Sequence, residues 1–202
     1  MDVQSEYAWI KTSKVTLAMV LVNCVVYFIL EWMGNTEDAE FMYHCGAMFP
    51  PAIQENGEYW RLFTSNFMHF GFMHLFNNMI MLVAAGRILE EALGMWKYLV
   101  LYVGAGISGS VLSYLYMIKT GDYAVSAGAS GAIFGIVGGL LWVVLYHKGK
   151  YQSLTRQGMF VMIALCMYYG ISTANVDNWG HLGGLLSGFV LAMIFYRGTQ
   201  RY

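Results

Sequence analysis

The chain has 202 residues, 58% hydrophobic and only 11% charged, with a formal net charge of −1. Soluble domains run about 45–50% apolar and about 25% charged, so this chain lacks the polar shell that a soluble enzyme or a nucleic-acid binder needs. It is also far too apolar to stay disordered, and a mean hydropathy of +0.51 points to a membrane protein.

The first 14 residues are polar, and no small-residue cleavage site follows the first apolar run. That run is read as a retained helix, not a signal peptide. A bilayer core about 30 Å thick needs roughly 20 apolar residues of helix. Six stretches come close: 15–33, 72–89, 98–118, 124–146, 159–174 and 179–196. The expectation is an all-α, polytopic bundle of six spans forming a single membrane domain over residues 1–202. Residues 34–71 form a long outer connection rich in aromatics, among them Tyr59, Trp60, Phe63 and Phe67. Trp and Tyr suit the membrane interface, so this connection is expected to pack as a partly buried substructure. Cys24, Cys45 and Cys166 have no paired spacing and imply neither a disulfide framework nor a zinc site.

The basic residues set the orientation, because Lys and Arg collect on the cytoplasmic side. Nine fall on one side: Lys11, Lys14, Arg87, Lys97, Lys148, Lys150, Arg156, Arg197 and Arg201; Arg61 and Lys119 fall on the other. Both termini are then cytoplasmic. The short N-terminal segment lacks an organelle transit pattern, which favours a bacterial plasma membrane.

Polar groups inside a span are costly and need a reason. His74 and Asn78, four residues apart in the second span, share one helical face. Ser130 lies in the fourth span and His181 opens the sixth. Spans two, four and six all run inward, so the four residues share the outer part of the membrane. Ser130 is expected on the order of 9 Å below the outer end of its segment, at about 1.5 Å per residue. Serine needs a base to become a nucleophile, and His181 can be that base. Asn78, His74 and the Ser130 backbone N–H can serve a developing oxyanion. No third acid is evident; Asp177, four residues before His181, is a less favoured orienter. His69 could be a loop-packing residue or part of the site, while His44 and His147 lie at membrane edges and are read as solvated.

For a serine alone in a Gly-rich span, packing is the ordinary explanation. Here Gly131, Gly135 and Gly139 repeat every four residues, as do Gly180, Gly184 and Gly188. Such small-residue faces allow close backbone approach, and their meeting would bring Ser130 to His181. Other intramembrane chemistries fit poorly. No HExxH helix is present for zinc, no span carries a pair of aspartates, and GxSxG fails because position 132 is Ala. No metal or organic cofactor is required.

Several motifs then line up in order. Glu58, Tyr59, Trp60 and Arg61 form an aromatic–Arg signature in the outer connection. His69, His74 and Asn78 follow an H-x4-H-x3-N spacing; Gly86, Glu90 and Gly94 follow GxxxExxxG. Gly128-Ala129-Ser130-Gly131 precedes a His181 segment that runs to Gly188. With these motifs the chain resembles the rhomboid intramembrane serine proteases. The resemblance implies Ser130 as nucleophile, His181 as general base, and His74 and Asn78 in the oxyanion hole. It further implies that Trp60 and Arg61 stabilise the outer loop, that His69 supports the site, and that Glu90 ties helices together near the cytoplasmic face. Substrates would be transmembrane proteins reaching the site from the bilayer, near spans two and five. Many relatives stack a Tyr on the base histidine; here that residue is Phe134, and Ser65 stands where some members have a further His. Two other functions suit such a chain: an inactive relative that binds or escorts membrane helices, and a small transporter. The presence of both Ser130 and His181 speaks against the first. The dry inner halves of spans three, four and six speak against the second.

Overall fold

A computed structural model describes residues 13–173 and 176–198; Lys11, Arg201 and the last expected residue of the fifth span, Ala174, lie outside them. Among the described residues the chain forms α1 (Lys14–Met33), α2 (Ala39–Cys45), α3 (Pro50–Asn56), α4 (Arg61–Thr64), a 3-10 turn (Ser65–Phe67), α5 (Gly71–Leu93), α6 (Met95–Thr120), α7 (Ser130–Tyr146), α8 (Arg156–Ser172) and α9 (Asn178–Phe195). Between α7 and α8, β1 (Lys150–Tyr151) and β2 (Leu154–Thr155) pair antiparallel, with Lys150 opposite Thr155.

Each of the six apolar stretches overlaps a helix among the described residues. Four helices, α1, α5, α6 and α9, are long and apolar enough to cross a membrane, while α7 is a shorter apolar helix of 17 residues. The fourth stretch differs most from expectation. The apolar run predicts a helix from residue 124, but α7 begins at Ser130. The preceding segment is extended and bridges Met48 through Ser126, and Gly128 sits at φ +150°, a conformation no helix contains. The expected depth of Ser130 inside its own helix is thereby overturned: it is the first helical residue.

Helix α7 is buried nearly all round. Its core residues include Ile133, Ile136, Val137, Leu140, Val143 and Val144, the pattern of a helix enclosed by others. It packs against α5, α6, α8 and α9, while α1 lies outside against α5. Four glycines in α7 would cost about 1 kcal/mol each relative to Ala in an isolated helix. Here they let backbones touch. A methyl at Gly184 would overlap the Gly131 carbonyl oxygen, and one at Gly188 the carbonyl oxygen of Gly135. The seam differs from the expected stripe at one position: Gly138, not Gly139, meets α9 at Leu185, whereas Gly139 faces Leu89 and Leu101. At 3.6 residues per turn the seventh residue after Gly131 returns to within about 20° of the same face, whereas the eighth is turned about 80° away.

Charge is sorted along the bundle. The start of α1 meets the end of α5 at Glu90, Lys97 at the start of α6 donates to the Phe195 carbonyl at the end of α9, and Tyr146 at the end of α7 donates to the Arg197 carbonyl. All the basic residues assigned to the inner side, other than Lys11 and Arg201, therefore sit at or near this one end. Arg61 and Lys119 belong to the opposite end.

The outer connection is a built substructure. Leu30, Met42, Ala47 and Met68 form one small core, and Met48, Ile53 and Met117 another. Pro50 and Pro51 open α3, where a missing N–H costs nothing. Arg61, only 4% exposed, binds this layer together. Its guanidinium pairs with Glu58, donates to the Tyr43 and Ala47 carbonyls at 2.6 and 2.9 Å, and lies over the rings of Tyr43 and Trp60. Trp60 itself is half exposed.

Candidate active site

The beginnings of α5, α7 and α9 converge, and each brings one or two of the polar residues singled out in the sequence. Ser130 opens α7. The first i→i−4 hydrogen bond of that helix runs from the Ile133 N–H to the Ala129 carbonyl. The N–H groups of Ser130, Gly131 and Ala132 therefore face the open helix end, which favours negative charge. Because Ala129, as the N-cap, offers these groups no side-chain acceptor, that end is a ready site for a developing oxyanion.

His181 lies one turn into α9 and is buried. Its ring stacks flat on Phe134, with centroids 4.2 Å apart and planes 10° from parallel. Phe134 is four residues after Ser130, one turn along the same face, so His181 lies over the face of α7 that carries the serine. Among the described residues no hydrogen bond joins Ser130 to His181, and His181 Nδ1 has no partner. Hydrogen bonds of this kind commonly tighten only with substrate bound.

His74 stands in the first turn of α5, edge-on to His69 at 5.2 Å between centroids. Gly128 makes room for it: a methyl there would lie 2.9 Å from His74 Cε1, so the positive φ and the close approach both require glycine. Asn78, one turn further along, is buried and its Nδ2 has no partner. A buried donor without a partner is uncommon and is held at a cost.

His69 is fully buried just before α5. Its Nε2 accepts the Ala129 N–H at 3.4 Å, which leaves the proton on Nδ1. Burial, reinforced by the neighbouring His74, pushes the imidazole down to about 3, so it stays neutral and supports the turn into Ser130. At the far end of the bundle, Glu90 is 2% exposed. Its carboxylate accepts the Val15 and Thr16 N–H groups at 2.9 and 2.8 Å and the Thr16 hydroxyl at 2.7 Å. It caps α1 from α5, since Ser13 supplies no cap.

An open cavity of about 750 Å³ leads to the site, with His74, Ser130, Gly131, Asn66, Asp177 and Glu37 in its wall. Asn78 and His181 are not part of that wall. Asp177, the less favoured orienter of His181, directs its carboxylate to other partners. Its Oδ1 accepts the Gly180 N–H and its Oδ2 the Ser126 hydroxyl, both at 2.8 Å, so the carboxylate is occupied. Ser126 and Asn66 carry no sequence signal that marks them, because each acquires its place through a loop fold. The Asp177-x-x-Gly180 cap was legible as a helix start.

Comparison with known proteins identifies relatives of the chain. The sequence pattern of the Rhomboid domain family matches residues 56–198. The chain is 35% identical over 177 residues to rhomboid protease GluP of Bacillus subtilis (strain 168), covering 88% of this chain and 34% of that protein. It is 31% identical over 192 residues to Rhomboid-like protease 1 of Toxoplasma gondii, with 90% and 63% covered. Identity to RHOMBOID-like protein 1 of Arabidopsis thaliana is 35% over 156 residues, with 74% and 38% covered. The chain thus spans between about one third and two thirds of the length of these relatives.

Proposed function

The chain belongs to the rhomboid family, and from that membership we propose that it is an intramembrane serine endopeptidase that cuts transmembrane helices near their outer ends. The observation that carries this reading is His181 stacked on Phe134, one turn from a serine at the open end of α7. In this reading all six long helices span the bilayer as one domain, with both termini cytoplasmic. At about 1.5 Å per residue the 17 residues of α7 rise about 26 Å, and the extended segment before it covers the rest of the membrane depth.

A substrate helix enters from the bilayer between α5 and α8. Among its described residues α8 buries only Met159 and Gly170, so parting it from the bundle exposes little. The substrate must unwind locally, because helical carbonyls are hydrogen-bonded and shielded; Gly or Pro near its outer end helps. Ser130 Oγ attacks a carbonyl carbon as His181 takes its proton. The oxyanion is held by the N–H groups at the start of α7, with Asn78 and His74 as side-chain donors. His181 then protonates the leaving amine, and water from the cavity hydrolyses the acyl-enzyme. Trp60, Arg61, His69 and Glu90 hold the framework. The partners are transmembrane protein substrates and the lipid bilayer.

The test is cleavage of a reconstituted transmembrane substrate. Ser130→Ala and His181→Ala should each abolish it, and a fluorophosphonate should label Ser130 in the unaltered chain. Full activity in either variant would sink the dyad, whereas no cleavage and no labelling of Ser130 in the folded, unaltered chain would leave an inactive helix-binding relative as the reading.

A further inference from the structure

Two polar contacts join the segment that delivers Ser130 to the helix that carries His181. Ser126 donates to Asp177 Oδ2 and the Gly180 N–H donates to Asp177 Oδ1, each at 2.8 Å. The spacing is symmetrical: Ser126 is four residues before Ser130, and Asp177 four before His181. A helix cap needs one acceptor oxygen. Asp177 uses both, and the second has nothing to do with capping.

The same segment is held from its other side. Met48 and Ser126 exchange both backbone hydrogen bonds, at 2.9 and 2.8 Å, and the Gly128 N–H donates to the Ser65 carbonyl at 2.9 Å. Met48 follows Ala47, whose carbonyl accepts from Arg61. A continuous polar path therefore runs from Arg61 through Met48, Ser126 and Asp177 to Gly180, beside His181. The segment 124–129 has no helix of its own to hold it, and Gly128 at φ +150° can swivel more freely than any other residue type. The charge-assisted bond from Ser126 ties it to α9.

We propose that Ser126 and Asp177 are positioning residues that clamp the nucleophile's segment to the cap of the base's helix, so that Ser130 and His181 keep their mutual geometry. The proposal rests on the reading of these two as the catalytic dyad. Neither positioning residue touches the reacting atoms. A displacement of about 1 Å in such a pair can cost on the order of a hundredfold in rate.

The test uses the full chain in proteoliposomes, below each variant's melting temperature. Ser126→Ala removes the clamp donor. Asp177→Ser keeps a good helix cap but is too short to reach Ser126. Asp177→Asn can accept from Gly180 and donate to Ser126, so it restores both contacts. Ser126→Ala and Asp177→Ser should each lower kcat on the order of ten- to a hundredfold with KM within about twofold. The double variant should be no slower than the worse single one, and Asp177→Asn should keep most of the rate. Hydrogen exchange should rise in residues 124–130 in both clamp-breaking variants. Wild-type kcat in Asp177→Ser, or losses that multiply in the double variant, would overturn the clamp. If the unaltered chain does not cut at all, the dyad reading fails by itself. The exchange measurement then decides the clamp, which falls if 124–130 exchanges equally in all variants.

Discussion

His69 shows what burial does to a titratable side chain in this protein. It is fully buried, accepts the Ala129 N–H, and is pushed down to about 3 by desolvation and then by His74. In the unfolded chain a histidine titrates near about 6.5. The fold therefore favours the neutral form, and this contribution is complete above about pH 6.5. It is lost as pH falls from there toward about 3, because the unfolded chain takes up the proton first. Thermal unfolding should show a lower Tm at pH 5 than at pH 7.5, and His69→Phe should shrink that difference. An equal difference in the variant would show that other groups set the pH response. At the same scale Phe134 keeps the stacking face against His181 while lacking a hydroxyl, so it orients the imidazole plane by ring contact.

Glu90 belongs to the scale of elements, because it joins the end of one helix to the start of another. Helix α1 has no side-chain cap of its own, and the Glu90 carboxylate fills that place for two N–H groups and the Thr16 hydroxyl. Glu90→Ala leaves two buried N–H donors without partners, each costing about 1–3 kcal/mol. The expected destabilisation is about 3 kcal/mol, read from thermal or denaturant unfolding in detergent; a loss under about 1 kcal/mol would mean that water replaces the carboxylate. The seam of α7 and α9 works at this scale too. With Gly184 against the Gly131 carbonyl, the two helices approach as closely as backbones can. That approach brings His181 over the Ser130 face.

At the scale of the whole molecule, charge and cavity are arranged end to end. The candidate site opens at the end that carries Arg61 and Lys119, while the other described basic residues sit at or near the opposite end. On the positive-inside rule we propose that the site's end is the outer one. In a background with Cys24, Cys45 and Cys166 replaced, Lys119→Cys in intact cells should react with a membrane-impermeant maleimide. Lys148→Cys should react only after permeabilisation, and the opposite pattern would invert the topology and the face on which substrates are cut.

Composition and periodicity alone determined that the chain is a membrane protein built of apolar helices, roughly where those helices lie apart from the start of α7, which end is basic, and which serine, histidines and asparagine are out of place in lipid. These are properties of composition and helical spacing, and a linear string contains them. Tertiary structure alone decided that α7 starts at Ser130, because the segment before it is held out of the helix by hydrogen bonds to Met48, Ser65, His69 and Asp177, all distant in sequence. It decided that Gly138 and not Gly139 joins the seam, since the helix's true twist selects the face. It also gave the Asp177 carboxylate to Gly180 and Ser126 and left His181 to Phe134. Such partners are far apart in sequence, and only the packed backbones of α7 and α9 bring them within hydrogen-bond or ring contact.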